Sequence, residues 1–239
     1  MQTTTILFDL DGTLLPMDQE AFVKAYLGPL AARMAPMGYD PTEMINALWA
    51  GTDAMVKNDG SRRNEEVFWD IFAETFGERV RQDQPLFDEF YRTDFQNARP
   101  ACGFAPQAAS TVRKLKEMGF RVVLATNPIF PAVATESRIR WAGLEPEEFE
   151  LVTTYENSRH CKPNTAYYQD IIEQLGVRAE ECLMVGNDVE EDMIARTIGM
   201  KVFLLPAGLI NRSGTDINTF PHGDFDDLLN YAEGLNTEE

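Results

Sequence analysis

Histidine and cysteine are scarce in this chain: two of the former and three of the latter among 239 residues. Cys102, Cys161 and Cys182 cannot all pair with one another, and none stands in a close C-x-x-C spacing. A disulfide scaffold and a structural zinc site are both excluded as expectations, and reduced thiols of a cytosolic protein are the plain reading. Basic residues are also few, 21 Lys and Arg against 39 Asp and Glu, for a net charge of −18. That deficit argues against a nucleic-acid partner, because a backbone binder must neutralise phosphates with Lys and Arg. It argues equally against an anionic membrane surface. No apolar run approaches the ~20 residues of a bilayer span. The first residues reach Asp9 without a cationic segment, so no signal peptide is expected and the cytoplasm is the expected compartment.

What is present is ordinary globular composition, 44% hydrophobic and 25% charged. The length suits one large domain or two modest ones. The carboxylate excess suits divalent cations. It is steepest from Asp170 to Glu239, with fifteen acidic residues against four basic.

The chain alternates except for one long insert. Ile6-Leu7-Phe8 stops at Asp9 and reads as a buried strand followed by the turn Asp11-Gly12. From about Met17 to Arg99 the apolar residues recur at helical spacing, with Asp40-Pro-Thr-Glu43 as a helix start. This stretch predicts an all-helical unit with its own apolar faces. After Pro100 the chain predicts helices near 106–118, 132–142, 165–175 and 190–198. These alternate with strands near 121–125, 150–153, 182–185 and 201–205. The fold class expected is α/β: a doubly wound parallel sheet, Rossmann-like, with an inserted helical cap. The expected partition is residues 1–16 and 100–239 as the core and 17–99 as the cap.

Each apolar strand ends in distinctive polar residues: Asp9 and Asp11, then Thr126 and Asn127, then Lys162 ahead of Pro163, then Asp188 with Asp192 four residues on. In an open α/β sheet, ligands bind outside the carboxyl ends of the strands, so these residues should converge. Several carboxylates without histidine suit a hard cation with oxygen ligands, and Mg2+ is the abundant candidate. A lysine is a compact charge that can hold a phosphate oxygen or an aspartate. A hydroxyl and backbone N–H groups add anion donors. Metal, carboxylate nucleophile and anion donors together describe phosphoryl transfer through an aspartyl-phosphate, with Asp11 as the second catalyst.

Asp9-Leu-Asp-Gly-Thr-Leu14 resembles the first motif of the haloacid dehalogenase superfamily of phosphohydrolases. Leu124-Ala-Thr-Asn127 resembles the second, Lys162-Pro163 the third, and Val185-Gly-Asn-Asp-Val-Glu-Glu-Asp192 the fourth, in the family's order. The helical insert sits where the family's C1-type cap sits. The resemblance implies Asp9 as nucleophile and metal ligand, and Asp11 as general acid/base whose carbonyl also reaches the metal. It implies Thr126, Asn127 and Lys162 around the phosphoryl group, and Asp188 and Asp192 as remaining ligands of Mg2+. Asn187 stands directly after Gly186, where many relatives carry an acid, and stays a candidate ligand. The resemblance also implies that an acid at Asp11 goes with phosphate esters rather than haloacids. The reaction expected is hydrolysis of a small-molecule phosphate monoester. A sugar phosphomutase and a phospho-accepting signalling switch are the alternatives.

Some residues invite plainer readings. Thr13 is expected to fix the turn rather than catalyse, and Cys161 to be an incidental thiol. Glu190 and Glu191 are expected as helix-start charges. Lys57, Arg62 and Arg63 flank a turn in the insert and are the candidates for substrate specificity, against the plainer reading of a solvated basic loop. Hinges are expected near Met17 and Pro100. A monomer or homodimer is expected.

Overall fold

The computed structural model describes residues 2–237. Its centre is a parallel sheet of β1 (Thr5–Phe8), β2 (Arg121–Leu124), β3 (Cys182–Gly186) and β4 (Lys201–Leu204), in the order β2-β1-β3-β4. Thr5 pairs with Arg121 on one side and Cys182 on the other, and Leu183 pairs with Lys201. The two central strands are buried along their whole length, which is why they read as unbroken apolar runs. Side chains alternate between faces. Ile6 and Phe8 join one apolar cluster with residues of α5 (Pro106–Glu117), α6 (Ala132–Trp141) and α8 (Phe225–Thr237). Leu7 joins the other, with Tyr167, Tyr168 and Ile171 of α7 (Thr165–Leu175). Helices therefore cover both faces. Each fully buried Ile, Leu or Phe of β1 contributes roughly 1.5–3 kcal/mol relative to exposure.

Between β1 and α5 lie α1 (Gln19–Met34), α2 (Pro41–Val56), α3 (Asn64–Phe76) and α4 (Gln84–Arg92). Asp18 caps α1 by accepting from the Ala21 N–H at 3.0 Å. Asp40 caps α2 by accepting from the Thr42 and Glu43 N–H groups at 2.9 Å, as its sequence requires. The apolar faces of these helices do not close on themselves. They join the cluster that covers one sheet face, through Phe95 stacked on Trp141 at 5.2 Å and Phe22 beside Phe130 at 6.2 Å. The segments entering and leaving the insert run side by side. Met17 bridges Cys102, and the Gly103 N–H donates to the Pro16 carbonyl at 2.8 Å.

Two expected elements differ. The segment near 150–153 is a single parallel bridge, Leu124 to Val152, rather than a strand. It runs beside β2 through the Glu150 and Thr153 N–H groups. The ladder stops because the chain turns at Thr154, where the Asn157 side chain takes the Thr154 N–H at 2.9 Å. The helix expected from Glu190 begins only as a 3-10 turn at Met193–Ile198. Upstream, carboxylates capture the backbone: Asp188 Oδ1 accepts from Glu190 and Glu191, and Asp192 Oδ2 from Asn187 and Asp188. Such local bonds compete with helix formation. No helix among the described residues is long and apolar enough to cross a membrane.

Candidate active site

The carboxyl ends of the strands open into a cavity of about 290 Å3 between the sheet and the helical insert. β1 ends where Asp9 still donates its N–H to the Val185 carbonyl at 2.9 Å, which fixes the carboxylate at the cavity floor. Lys162, 1% exposed, brings Nζ to 2.9 Å from Asp9 Oδ1 and 2.7 Å from Asp192 Oδ1. Burial alone would push this ammonium down, but Asp192 and Asp9 hold it well above its ordinary range. The Thr13 hydroxyl lies 3.1 Å from Asp9 Oδ2 and 2.7 Å from Asn187 Oδ1. It fixes the turn, as expected, and touches the nucleophile candidate as well. Gly12 has φ +89°, and a Cβ there would meet Asn187 Nδ2 at 2.5 Å. The turn thus requires glycine.

Asp11 leads into the same cavity. Its Oδ2 pairs with Arg138, which is fully buried in α6. Its Oδ1 is buried without a hydrogen-bond partner. Burial raises the Asp11 pKa from its ordinary value, with Arg138 pulling the other way. The Arg138 guanidinium stacks 4.3 Å over the Phe130 ring and reaches Thr135 Oγ1 at 3.2 Å. Thr126 and Asn127 line the cavity. The Asn127 amide donates to Glu191 Oε2 at 3.1 Å and accepts the Lys162 N–H at 3.2 Å.

Among the described residues no three His, Cys, Asp or Glu side chains form a ready metal cage, so the carboxylates of Asp9, Asp188 and Asp192 do not stand together as one set; the Asp11 carbonyl expected to join them is a separate group. The reason lies in their partners. Both Asp192 oxygens are taken, Oδ1 by Lys162 and Oδ2 by the Asn187 and Asp188 N–H groups. Burial also raises its pKa. Asp11 is held by Arg138. The Asn187 amide, 1% exposed, is spent on Thr13 and on the Gly208 carbonyl at 2.6 Å. Asp9 and Asp188 are left. Asp188 Oδ1 accepts two backbone N–H groups, and Oδ2 meets the Arg212 guanidinium at 3.0 Å. Two carboxylates with carbonyl and water oxygens still suit Mg2+, which keeps much of its hydration. The cavity wall agrees: among the described residues, six acids and Arg212 are its charged members.

Lys57, Arg62 and Arg63 do not line the cavity. Lys57 pairs with Asp53, Arg62 with Asp70, and Arg63 donates to the Glu156 carbonyl. Their loop is bound to the core instead, through the Asn64 and Glu65 N–H groups to the Ser158 and Tyr155 carbonyls. His160, beneath that loop, bonds Asp170 at 2.7 Å. Glu190 accepts the Arg212 and Ser213 N–H groups rather than starting a helix. The Cys161 thiol is buried and pushed up to about 12, which leaves it inert. Sequence reasoning missed Arg138 and Arg212. An arginine on an otherwise ordinary helix and one in a polar loop carry no spacing signal.

The family model of haloacid dehalogenase-like hydrolases matches residues 3–196. The chain belongs to the haloacid dehalogenase-like hydrolases. This hydrolase is 26% identical over 202 residues to the pyrophosphatase PpaX of Bacillus cereus (strain G9842), covering 84% of this chain and 82% of that one. The haloacid dehalogenase-like fold recurs in solved structures. One is a HAD phosphatase from Thermococcus onnurineus, at TM-score 0.60 and 19% identity over 98% of this chain and 100% of that chain. Another is a 2-haloacid dehalogenase from Pseudomonas syringae pv. Tomato DC3000, at TM-score 0.61 and 20% identity over 97% and 98%. The family model establishes the family and makes the chain a hydrolase, and the solved structures show the fold.

Proposed function

We propose that this hydrolase is a magnesium-dependent phosphatase that cleaves a small-molecule phosphate monoester through an aspartyl-phosphate on Asp9. The observation that carries the reading is the Lys162 ammonium 2.9 Å from Asp9 Oδ1, with Asp11 two residues on in the same cavity. Only a nucleophile beside a fixed cation can approach a phosphoryl dianion without strong repulsion. The likeness to PpaX supports phosphoryl chemistry, since that relative is named a pyrophosphatase.

An Asp9 carboxylate oxygen forms the new P–O bond as the bond to the leaving oxygen breaks, and Asp11 delivers its proton to that oxygen. Water then attacks phosphorus, Asp11 takes a water proton, and the bond to Asp9 breaks. Lys162 and the Thr126 and Asn127 groups hold the phosphoryl oxygens. Asp9, Asp188 and the Asp11 carbonyl would hold Mg2+, which when bound neutralises charge on the phosphoryl group and the carboxylates.

The test is hydrolysis of p-nitrophenyl phosphate with and without Mg2+, beside Asp9→Asn. Turnover should need Mg2+ and fall by at least about a thousandfold in the variant. Labelling of Asp9 by a small phosphodonor without turnover would point to a mutase or a phospho-accepting switch instead.

A further inference from the structure

We infer that the leaving group of the substrate is an aromatic or aliphatic alcohol that carries no negative charge of its own, whether neutral or bearing an ammonium. The inference rests on the phosphatase reading above and concerns the half of the cavity that reading leaves unassigned. The phosphoryl end is set by Asp9, so the leaving group must extend toward the helical insert. That side of the wall is aromatic, with Tyr26, Trp49, Phe68, Trp69, Phe87 and Tyr91 among its residues. The insert supplies no Lys or Arg to it; its one charged lining residue is Asp88. Asp88 is half-buried near Tyr91 and Tyr155, and among the described residues no hydrogen bond or ion pair neutralises it. The basic residues that sequence offered for this role are spent elsewhere, as Lys57 with Asp53 and Arg62 with Asp70.

Charge decides the class of leaving group. A second phosphate or a carboxylate there would face Asp88 at low local dielectric without a cation, and like charges so placed repel strongly. The single arginine of the wall, Arg212, lies on the core side and is paired with Asp188 and Glu190. An aromatic or aliphatic alcohol gains by desolvating these rings instead. An ammonium on that alcohol would gain further from Asp88 and the ring faces.

The test uses the Mg2+-loaded enzyme and four substrates: 1-naphthyl phosphate, phosphocholine, phosphoglycolate and inorganic pyrophosphate. Values of kcat/KM for 1-naphthyl phosphate should exceed those for the two doubly anionic substrates by about 100-fold, the scale on which a pocket discriminates by fit. Phosphocholine in the lead would also support the inference and assign Asp88 to the cation. Trp49 is 52% exposed at the cavity and can be removed safely. Trp49→Ala should raise KM for 1-naphthyl phosphate about tenfold with little change in kcat. Thr52→Lys, which adds the missing cation, should raise kcat/KM for pyrophosphate about tenfold. Pyrophosphate or phosphoglycolate turned over as well as 1-naphthyl phosphate would overturn this inference alone. Turnover of none of the four, with no phosphoryl label on Asp9, would overturn the phosphatase reading with it.

Discussion

Arg138 and Asp11 form an ion pair at the base of the cavity, the guanidinium fully buried and the carboxylate holding one oxygen without a partner. A general acid must be protonated when it acts, and opposed influences, burial and Arg138 the largest, set how far up in pH Asp11 stays so. Burial raises its pKa and Arg138 lowers it.

Removing the arginine removes only the lowering influence. On the proposed mechanism, Arg138→Met should move the alkaline limb of the kcat/KM profile to higher pH. It should also cost about 10- to 100-fold in kcat, because the carboxyl loses its fixed orientation. Arg138→Lys keeps the charge, so its alkaline limb should stay near that of the parent enzyme. Steady-state pH profiles of the three proteins check the sign.

Asp188 and Asp192 should separate by what their loss affects. Asp188→Asn keeps the acceptor for Glu190 and Glu191 but removes a charge, so the Mg2+ needed for half-maximal activity should rise roughly tenfold or more. Asp192→Ala leaves the buried Lys162 with Asp9 as its one carboxylate partner and strands two backbone N–H groups. It should cost about 3–5 kcal/mol of stability. Denaturant melts and Mg2+ titrations of both variants decide. A strong Mg2+ effect in a fully stable Asp192→Ala protein would make Asp192 a ligand after all.

Glu190 ties the 211–213 loop to the turn after β3. Burial pushes its carboxyl up, but hydrogen bonds from Ser213 and Arg212 outweigh this and bring it down from 4.5 to about 2. The folded value lies below the unfolded one, so the unfolded chain takes up the proton first as pH falls. The stabilisation is complete above about pH 4.5 and is lost on the way down to about 2. Glu190→Gln should therefore be less stable than the parent at neutral pH, with the difference closing across that window. Urea midpoints at stepped pH measure it.

Phe95 tests the joint between insert and core. It is fully buried and stacked on Trp141 at 5.2 Å. Phe95→Ala should cost about 3–5 kcal/mol. A single cooperative melt would show that insert and sheet share one core, whereas two separate transitions would contradict the shared apolar cluster.

Much of this molecule is written locally. A parallel strand covered on both faces must be continuously apolar and cannot carry an uncompensated carboxylate in its middle. Ile6-Leu7-Phe8 therefore announces both the strand and the place where Asp9 emerges. The Asp40 cap and the alternation after Pro100 are legible for the same reason: one local pattern, one local structure. The sequence also brings Asp9, Asp11, Thr126, Lys162 and Asp188 to one end of the sheet, because topology alone sends strand ends there.

Tertiary structure decided which partners those residues take. That Asp192 meets Lys162, that Asn187 braces Thr13 and that Arg62 pairs with Asp70 depends on distances of a few ångströms. The groups involved are as far apart in sequence as Thr13 and Asn187. No periodicity records such distances. Each buried polar group takes the partner that compensates its lost hydration, and that partner exists only once the chain has folded.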